Sequence, residues 1–321
     1  MSAGHVRKRI EGFPRGWFMV AFSDEVKQGE ILSMHYFNRR LMAWRGEDGV
    51  VRIQDAHCPH LGADIGAGGK VIGNTVQCPF HHWAFDDSGK CVEIPYSESI
   101  PKKACLKTWH VVERNGMLYL WFNPHDHEST PEFDVPVTAY DTEEGWSEWR
   151  HSKIRIKTHS REIVENVVDI GHFQPVHGTH VETFENEFNG HIAIQRNTGV
   201  AYPRGGGKDR FSLEATYYGP GFQITNMQGY LNAMLVNAHT MVEDNVLDLR
   251  FGVSIKAREG EVVTEEMKDK YIENLTVGFL EDVQIWENKV YRDLPMLCAG
   301  DGPIGKLRRW YGQFYDNEAA E

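Results

Sequence analysis

Between Trp17 and Asn123 the apolar residues come in short runs: Trp17-Phe18-Met19-Val20, Leu41-Met42-Ala43-Trp44, Val50-Val51-Arg52-Ile53 and Met117-Leu118-Tyr119-Leu120-Trp121-Phe122. These runs are rich in β-branched and aromatic side chains. They are separated by the turn signals Gly46-Glu47-Asp48-Gly49, Asp86-Asp87-Ser88-Gly89 and Arg114-Asn115-Gly116. This pattern predicts an antiparallel β domain. From Asn123 to Pro136 the periodicity disappears, and the segment reads as a linker. Beyond it the pattern is mixed. Ser160 to His172 reads as helix. Ala201 to Ile255 alternates around Gly-Pro and Gly-Gly-Gly breaks and reads as several strands. Thr264 to Val290 reads as one long helix, with a stripe through Tyr271, Leu275, Phe279, Val283 or Trp286, and Val290. Strands with segregated helices make an α+β domain. The expected division is therefore an antiparallel β domain over 13–125 and an α+β domain over 126–321.

Composition narrows the function classes. At 321 residues the chain can hold two domains. A net charge of −12 argues against nucleic-acid binding, which needs a basic footprint. No apolar run is long enough for a membrane-spanning helix. Met1 to Ile10 is charged and does not read as a secretory signal. Five cysteines, some placed like metal ligands, suit a reducing cytoplasm. Gly205-Gly206-Gly207 neither follows a clear strand nor opens a helix, so it reads as a loop and not as a nucleotide site.

The first chemical signal is a pair of segments, Cys58-Pro59-His60 and Cys78-Pro79-Phe80-His81, with 17 residues between them. Each brings one thiolate and one imidazole, and a hairpin can carry each half to a common point. Two Cys and two His suit a [2Fe–2S] cluster with both sulfurs on one iron and both imidazoles on the other. Neutral imidazoles raise the potential of such a cluster to roughly −150 to +300 mV. Zinc also accepts this donor set, but its sites usually pair Cys with Cys and His with His. One of each per half, with Pro after both cysteines and Gly62, Gly66, Gly68 and Gly69 in the first loop, fits a clamped cluster better. His82 reads as a surface or supporting residue. Cys91, Cys105 and Cys298 read as buried apolar residues.

The second signal is Asp169-Ile170-Gly171-His172-Phe173-Gln174-Pro175-Val176-His177. On a helix, Asp169 and His172 would share a face. Pro175 is expected to end that helix, so that His177 arrives from a turn. Two converging imidazoles with a carboxylate suit ferrous iron and leave positions for O₂ and substrate. Asp282 supplies the carboxylate: it lies on or beside the apolar stripe, where an acid is costly to bury without a partner or a metal. Glu281 and Glu287 read as solvated. Asp169 is expected to accept the outer N–H of a ligand imidazole through its carboxylate. Phe222, Met227, Tyr230, Met234 and Leu235 are candidate lining for a greasy pocket.

The Cys-x-His…Cys-x-x-His arrangement resembles the Rieske motif. Ala63 and Phe80 stand where respiratory Rieske proteins carry a bracing cysteine pair, and this resembles the Rieske domains of oxygenases. Followed by the Asp-x₂-His-x₄-His segment, the chain from about Trp17 onward resembles the oxygenase component of a Rieske non-haem iron oxygenase. The stretches Leu280 to Lys289, Pro295 to Cys298, Gly300 to Ile304 and Leu307 to Tyr315 are similar to the C-terminal signature of the 3-ketosteroid 9α-hydroxylase and cholesterol 7-desaturase branch.

The resemblance implies a helix-grip-like catalytic domain, a [2Fe–2S] cluster on Cys58, His60, Cys78 and His81, and mononuclear iron on His172, His177 and Asp282. It implies a separate NAD(P)H-dependent reductase or ferredoxin as donor. The substrate would be hydrophobic and steroid-like, hydroxylated or desaturated with O₂. It also implies a ring-shaped homotrimer in which Asp169 bridges a mononuclear-iron His of one subunit to a Rieske His of the next. The animal desaturases carry a membrane-anchoring segment that is not seen here, so a soluble bacterial-type enzyme is expected. A non-steroid substrate (aromatic or alkylamine), and a Rieske electron carrier without catalysis, are the rival readings.

Overall fold

The computed structural model describes residues 10–126, 128–201, 209–229, 231–258, 260 and 262–315. The Gly205–Gly207 loop and Tyr230 lie outside the described residues. The chain divides into two compact units, one of residues 19–135 and the other of residues 1–18 with 136–321.

The 19–135 unit is built from short antiparallel strands. β1 (Gly16–Phe22) enters it, followed by β2 (Ile31–Tyr36), β3 (Arg39–Arg45) and β4 (Val51–Asp55). Then come β5 (Lys70–Ile72), β6 (Thr75–Gln77), β7 (Ala84–Phe85), β8 (Cys91–Glu93), β9 (Val111–Arg114) and β10 (Met117–Phe122). They form three sheets, ordered β2–β3–β4, β5–β6–β7–β8 and β1–β10–β9. Asn115-Gly116 turns β9 into β10 with both residues at positive φ, a two-residue hairpin of the Asn-Gly kind. Trp44, Ile65, Val76, Trp83 and Phe85 pack into one buried cluster together with Cys58 and Cys78. Both thiols thus belong to the core, and the loops carrying them cannot move without disturbing it.

The second unit begins with α1 (Ala139–Thr142) and β11 (Arg150–Ile156). Two short helices follow, α2 (Ser160–Glu165) and α3 (Phe173–His177). A long meander comes next: β12 (His180–Asn189), β13 (Ile192–Ala201), β14 (Asp209–Tyr218), β15 (Phe222–Gln228), β16 (Asn232–Glu243) and β17 (Val246–Lys256). Helices α4 (Glu265–Trp286) and α5 (Ile304–Gly312) close it. The six strands of the meander and β11 form one seven-stranded antiparallel sheet, ordered β11–β17–β16–β15–β14–β13–β12.

Directly paired residues share a face of the sheet. One row runs Phe188, Ala193, Tyr217, Gln223, Asn237, Phe251. A second runs Phe184, Asn197, Leu213, Met227, Ala233, Ile255. This face lies under α4: Phe251 meets Phe279 at 4.8 Å between ring centroids, and Val253 and Ile255 pack with Tyr271 and Leu275.

Three expectations about elements are corrected. The helix predicted over 160–172 stops at Glu165 and gives way to turns. A tight single turn over Ile170–His172 then leads into α3. Consecutive β-branched residues, Val167 and Val168, followed by Gly171 give a continuous helix little support. Pro175 does not end a helix; it is the third residue of α3, within the first turn, where its missing N–H would have had no helical partner. The predicted long helix runs from Glu265, not Thr264. Thr264 is instead its N-cap and accepts a hydrogen bond from the Met267 N–H at 3.2 Å. Val290 lies beyond its end and is exposed.

Candidate metal centres

The two loops of the β unit repeat one backbone device. The Cys58 N–H donates to the Ala63 carbonyl and the Gly62 N–H returns to the Cys58 carbonyl, both at 2.9 Å. In the second loop the Cys78 N–H donates to the Trp83 carbonyl at 2.9 Å, and the His82 N–H returns to the Cys78 carbonyl at 3.1 Å. The residue four past each cysteine is left-handed, Gly62 at φ 78° and His82 at φ 59°. Glycine adopts this freely and histidine only with local support. His82 is thus an exposed turn residue, and its ring is not needed at the site. The repeat was visible in the sequence as Cys-Pro followed at the same distance by Gly62 and His82.

This device brings the donors together in pairs, with the Cys58 and Cys78 thiols beside each other and the His60 and His81 rings in contact. The His60 and His81 rings approach edge to face at 4.6 Å, and His60 stacks flat on Trp83 at 4.5 Å. The Trp83 Nε1–H donates to the Tyr96 hydroxyl at 2.8 Å, which fixes the indole that carries His60. Burial, with the Cys78 thiol beside it, pushes the Cys58 thiol up to about 11. A thiolate is unstable in that surrounding unless a cation sits on it. A pair of buried thiols and a pair of partly exposed imidazoles, carried by adjacent loops, fit a cluster of the Rieske type. Leu61 and Phe80 stand exposed at the loop tips. Of the other cysteines only Cys91 is buried; Cys105 and Cys298 are exposed, against expectation, and all five are free thiols.

The second centre lies in the α+β unit. The ligand atoms of His172, His177 and Asp282 lie within 4.8 Å of one another. His172 closes the Ile170–His172 turn, and His177 is the last residue of α3, where Gly178 stops the helix at φ 63°. Asp282 comes from the inward face of α4, only 8 % exposed. The C-terminal end of that helix is held in place by three bonds. The Thr158 hydroxyl donates to the Trp286 carbonyl at 3.1 Å. The Lys157 N–H donates to Glu287 at 2.9 Å. The Trp286 indole N–H donates to the Asn166 side-chain oxygen at 3.3 Å. Glu287 is therefore a helix anchor and not merely a solvated acid.

Each imidazole is held by its Nδ1. His172 Nδ1 lies 2.6 Å from the main-chain carbonyl of Asp169, and His177 Nδ1 lies 3.1 Å from Glu281 Oε2. His177 Nε2 then faces Asp282 Oδ2 at 3.4 Å. Burial pulls His172 below its ordinary value, whereas the Asp282 carboxylate raises His177.

Two sequence expectations change here. The Asp169 carboxylate does not take the His172 N–H; the carbonyl does. The carboxylate stands 3.6 Å away, accepts from the Gly171 N–H and is 40 % exposed. Glu281, read as solvated, reaches His177. Two imidazoles and a buried acid, with no cation beside Asp282 among the described residues, fit a ferrous ion. Of the pocket candidates, Met227 and Leu235 lie on the sheet face under α4, where Met227 sulfur accepts from the Tyr271 hydroxyl at 3.1 Å. Phe222 and Met234 occupy the alternate positions and point to the opposite face.

Comparison with known proteins agrees with these features. Residues 16–109 match the Rieske [2Fe-2S] domain, and residues 120–315 match the 3-ketosteroid 9alpha-hydroxylase C-terminal domain. A 3-ketosteroid-9-alpha-monooxygenase oxygenase component of Rhodococcus rhodochrous is 36% identical over 98% of this chain and 85% of its own. The oxygenase component of the same name from Mycobacterium tuberculosis is 34% identical, covering 94% of this chain and 82% of its own. The cholesterol 7-desaturase of Caenorhabditis elegans is 28% identical, covering 94% and 77%. Among solved structures, dicamba monooxygenase bound to dicamba superposes with a TM-score of 0.73 at 17% identity, over 94% of this chain and 97% of that one, a likeness of fold. The chain belongs to the Rieske non-haem iron oxygenases with a 3-ketosteroid 9α-hydroxylase C-terminal domain, enzymes that carry a [2Fe–2S] cluster and a mononuclear iron.

Proposed function

We propose that this chain is the terminal oxygenase of a multicomponent monooxygenase that hydroxylates or desaturates a C–H position of a steroid-like substrate. Cys58, His60, Cys78 and His81 would hold the [2Fe–2S] cluster, and His172, His177 and Asp282 the ferrous ion. When bound, the cluster supplies single electrons and the ferrous ion supplies O₂ activation. The single observation carrying this reading is the convergence of His172, His177 and Asp282 within 4.8 Å, in a chain whose other domain matches the Rieske family.

The protein's own residues prepare the reaction. The Asp169 carbonyl takes the Nδ1 proton of His172 and so presents Nε2 inward. Phe279, Leu235 and Met227, each partly exposed, offer apolar surface on the sheet and helix that flank Asp282, where a flat hydrophobic substrate displaces water, and the fully buried Phe251 backs Phe279. On the same sheet face, Asn197 is 2 % exposed with both side-chain polar atoms unpartnered, and Asn237 Oδ1 is likewise unpartnered. Such amides favour a substrate that carries oxygen over a pure hydrocarbon.

The half-exposed Asp169 carboxylate remains available to the cluster imidazole of a neighbouring subunit, and we infer a homotrimer built on that contact. Exposed Leu61 and Phe80 beside the cluster loops suit docking, whether of that neighbour or of the electron donor. The donor is a separate NAD(P)H-dependent reductase or ferredoxin, as the relatives' description as an oxygenase component supports. We place the domain boundary near residue 125. No described helix is long and apolar enough to cross a membrane. The unbridged thiols support a cytoplasmic setting.

The test is single turnover of the reduced protein against a steroid panel, with iron counted per chain. About three irons and a hydroxylated or desaturated steroid are expected. Three irons without any steroid product would remove the steroid assignment and direct the search to other substrates. About two irons would leave an electron carrier.

A further inference from the structure

Asp282 and Glu281 are consecutive residues of α4, and their carboxylates flank a single imidazole. Asp282 Oδ2 lies 3.4 Å from His177 Nε2, and Glu281 Oε2 lies 3.1 Å from Nδ1 of the same ring. Successive residues on a helix point about 100° apart. The shorter Asp282 side chain therefore projects under the helix, while the longer Glu281 reaches the outer edge of the ring from the flank. The other histidine of the centre, His172, is oriented by a main-chain carbonyl. His177 has no carbonyl within reach of Nδ1 among the described contacts. It is the last residue of α3, next to left-handed Gly178. The ring's only described hydrogen-bond partners are the two acids.

We propose that Glu281 is a positioning residue: its carboxylate accepts the Nδ1 proton of His177, fixes the tautomer, and aims Nε2 at the position shared with His172 and Asp282. This rests on the assignment of those three residues as the iron site. Deleting a carboxylate that orients a ligand imidazole typically weakens metal affinity 10–100-fold. The Glu281–Asp282 pair thus serves one imidazole from both edges, with one acid reaching the metal and the other reaching it only through the ring.

The experiment titrates cobalt(II) chloride into the protein with its Rieske cluster intact and its mononuclear ion removed. Affinity and the visible ligand-field bands are followed for wild type, Glu281→Ala, Glu281→Gln and Asp282→Ala. The Rieske absorbance reports that each variant is folded. The expected result is abolished binding for Asp282→Ala and a loss of about 10–100-fold with shifted bands for Glu281→Ala. Most of that affinity should return in Glu281→Gln, whose amide oxygen accepts the same proton. Wild-type affinity and bands in Glu281→Ala, or an equal loss in Glu281→Gln and Glu281→Ala, would overturn the proposal while leaving the site intact. Unchanged binding by Asp282→Ala would instead remove the iron-site assignment, and this inference with it.

Discussion

At the scale of single residues, the two candidate centres differ in what holds their proposed ligands. The cluster loops are fixed by main-chain hydrogen bonds and a buried core, whereas His172 and His177 depend on individual Nδ1 contacts. His172→Ala is therefore expected to lose the mononuclear iron and all turnover while the Rieske absorbance persists; loss of both signals would mean the sites are not independent. Asp169→Asn keeps the carbonyl that orients His172 and removes only the exposed negative charge. Both metals should stay bound while reduction of the mononuclear site slows by at least tenfold in stopped flow. Near-normal turnover would remove the bridging role. The residues proposed for both centres could be picked out in the sequence because Cys, His and a helix-face Asp are chemically distinctive. The contact of Glu281 was not, since a charged helix residue one step from the apolar stripe looks solvated until the position of α3 is known. Nor was the use of the Asp169 carbonyl legible, because backbone acceptors carry no sequence signature.

At the scale of elements, the strand and helix patterns followed from side-chain periodicity, and the errors fell where local geometry departs from it. The stretch from Asn166 to Gly178 contains a proline, two glycines and the Val167-Val168 pair, and it makes two short helical pieces where the pattern suggested one longer helix. Its shape is set from outside. Gly302 approaches so closely that a Cβ there would lie 1.6 Å from the Val168 carbonyl oxygen. No side chain fits unless the backbone moves, and Val168 directly precedes Asp169. Gly302→Ala should destabilise by on the order of 1–3 kcal/mol, as overpacking does. It should also lower iron retention at the mononuclear centre while sparing the cluster. Denaturant midpoints together with iron counts check this, and a stable variant with full iron would show that the 166–178 segment is shaped by its own sequence. The argument applies to only one of the two glycines beside Asp301: a Cβ at Gly300 would meet nothing nearer than Cys298 Sγ at 4.0 Å, so it is Gly302 that lets the C-terminal segment lie against the residues preceding the histidine turn.

At the scale of the whole molecule, stability should depend on pH through two histidines that have no part in either centre. His159, 5 % exposed, accepts the Arg161 N–H on Nδ1 at 3.1 Å, so its Nε2 donates to the Gly12 carbonyl at 3.0 Å. Burial lowers its pKa to about 4. His239 is fully buried beside the Tyr217 hydroxyl, and burial lowers it to about 3. An unfolded histidine titrates near 6.5, so between that pH and about 4 the unfolded chain binds more protons than the folded one. Stability is then complete above about pH 6.5 and falls as the pH drops. At 1.36 kcal/mol per unit, His159 alone accounts for a loss on the order of 3 kcal/mol by pH 4. Protonating its Nδ1 also removes the acceptor that caps α2, the helix leading into the iron-site turns. Urea denaturation at pH 7.5, 6, 5 and 4.5 should show a steadily decreasing midpoint. A His159→Gln variant should flatten that slope, because its side chain stays neutral across the range. The sign is the same as for acid loss through carboxylates, but the pH window differs, since unfolded carboxylates titrate near pH 4: a fall already present between pH 6.5 and 5.5, and reduced in the variant, belongs to the buried imidazoles. A midpoint flat down to pH 5 would mean that the core around Tyr217, Tyr311 and His239 opens to water before these rings take up protons.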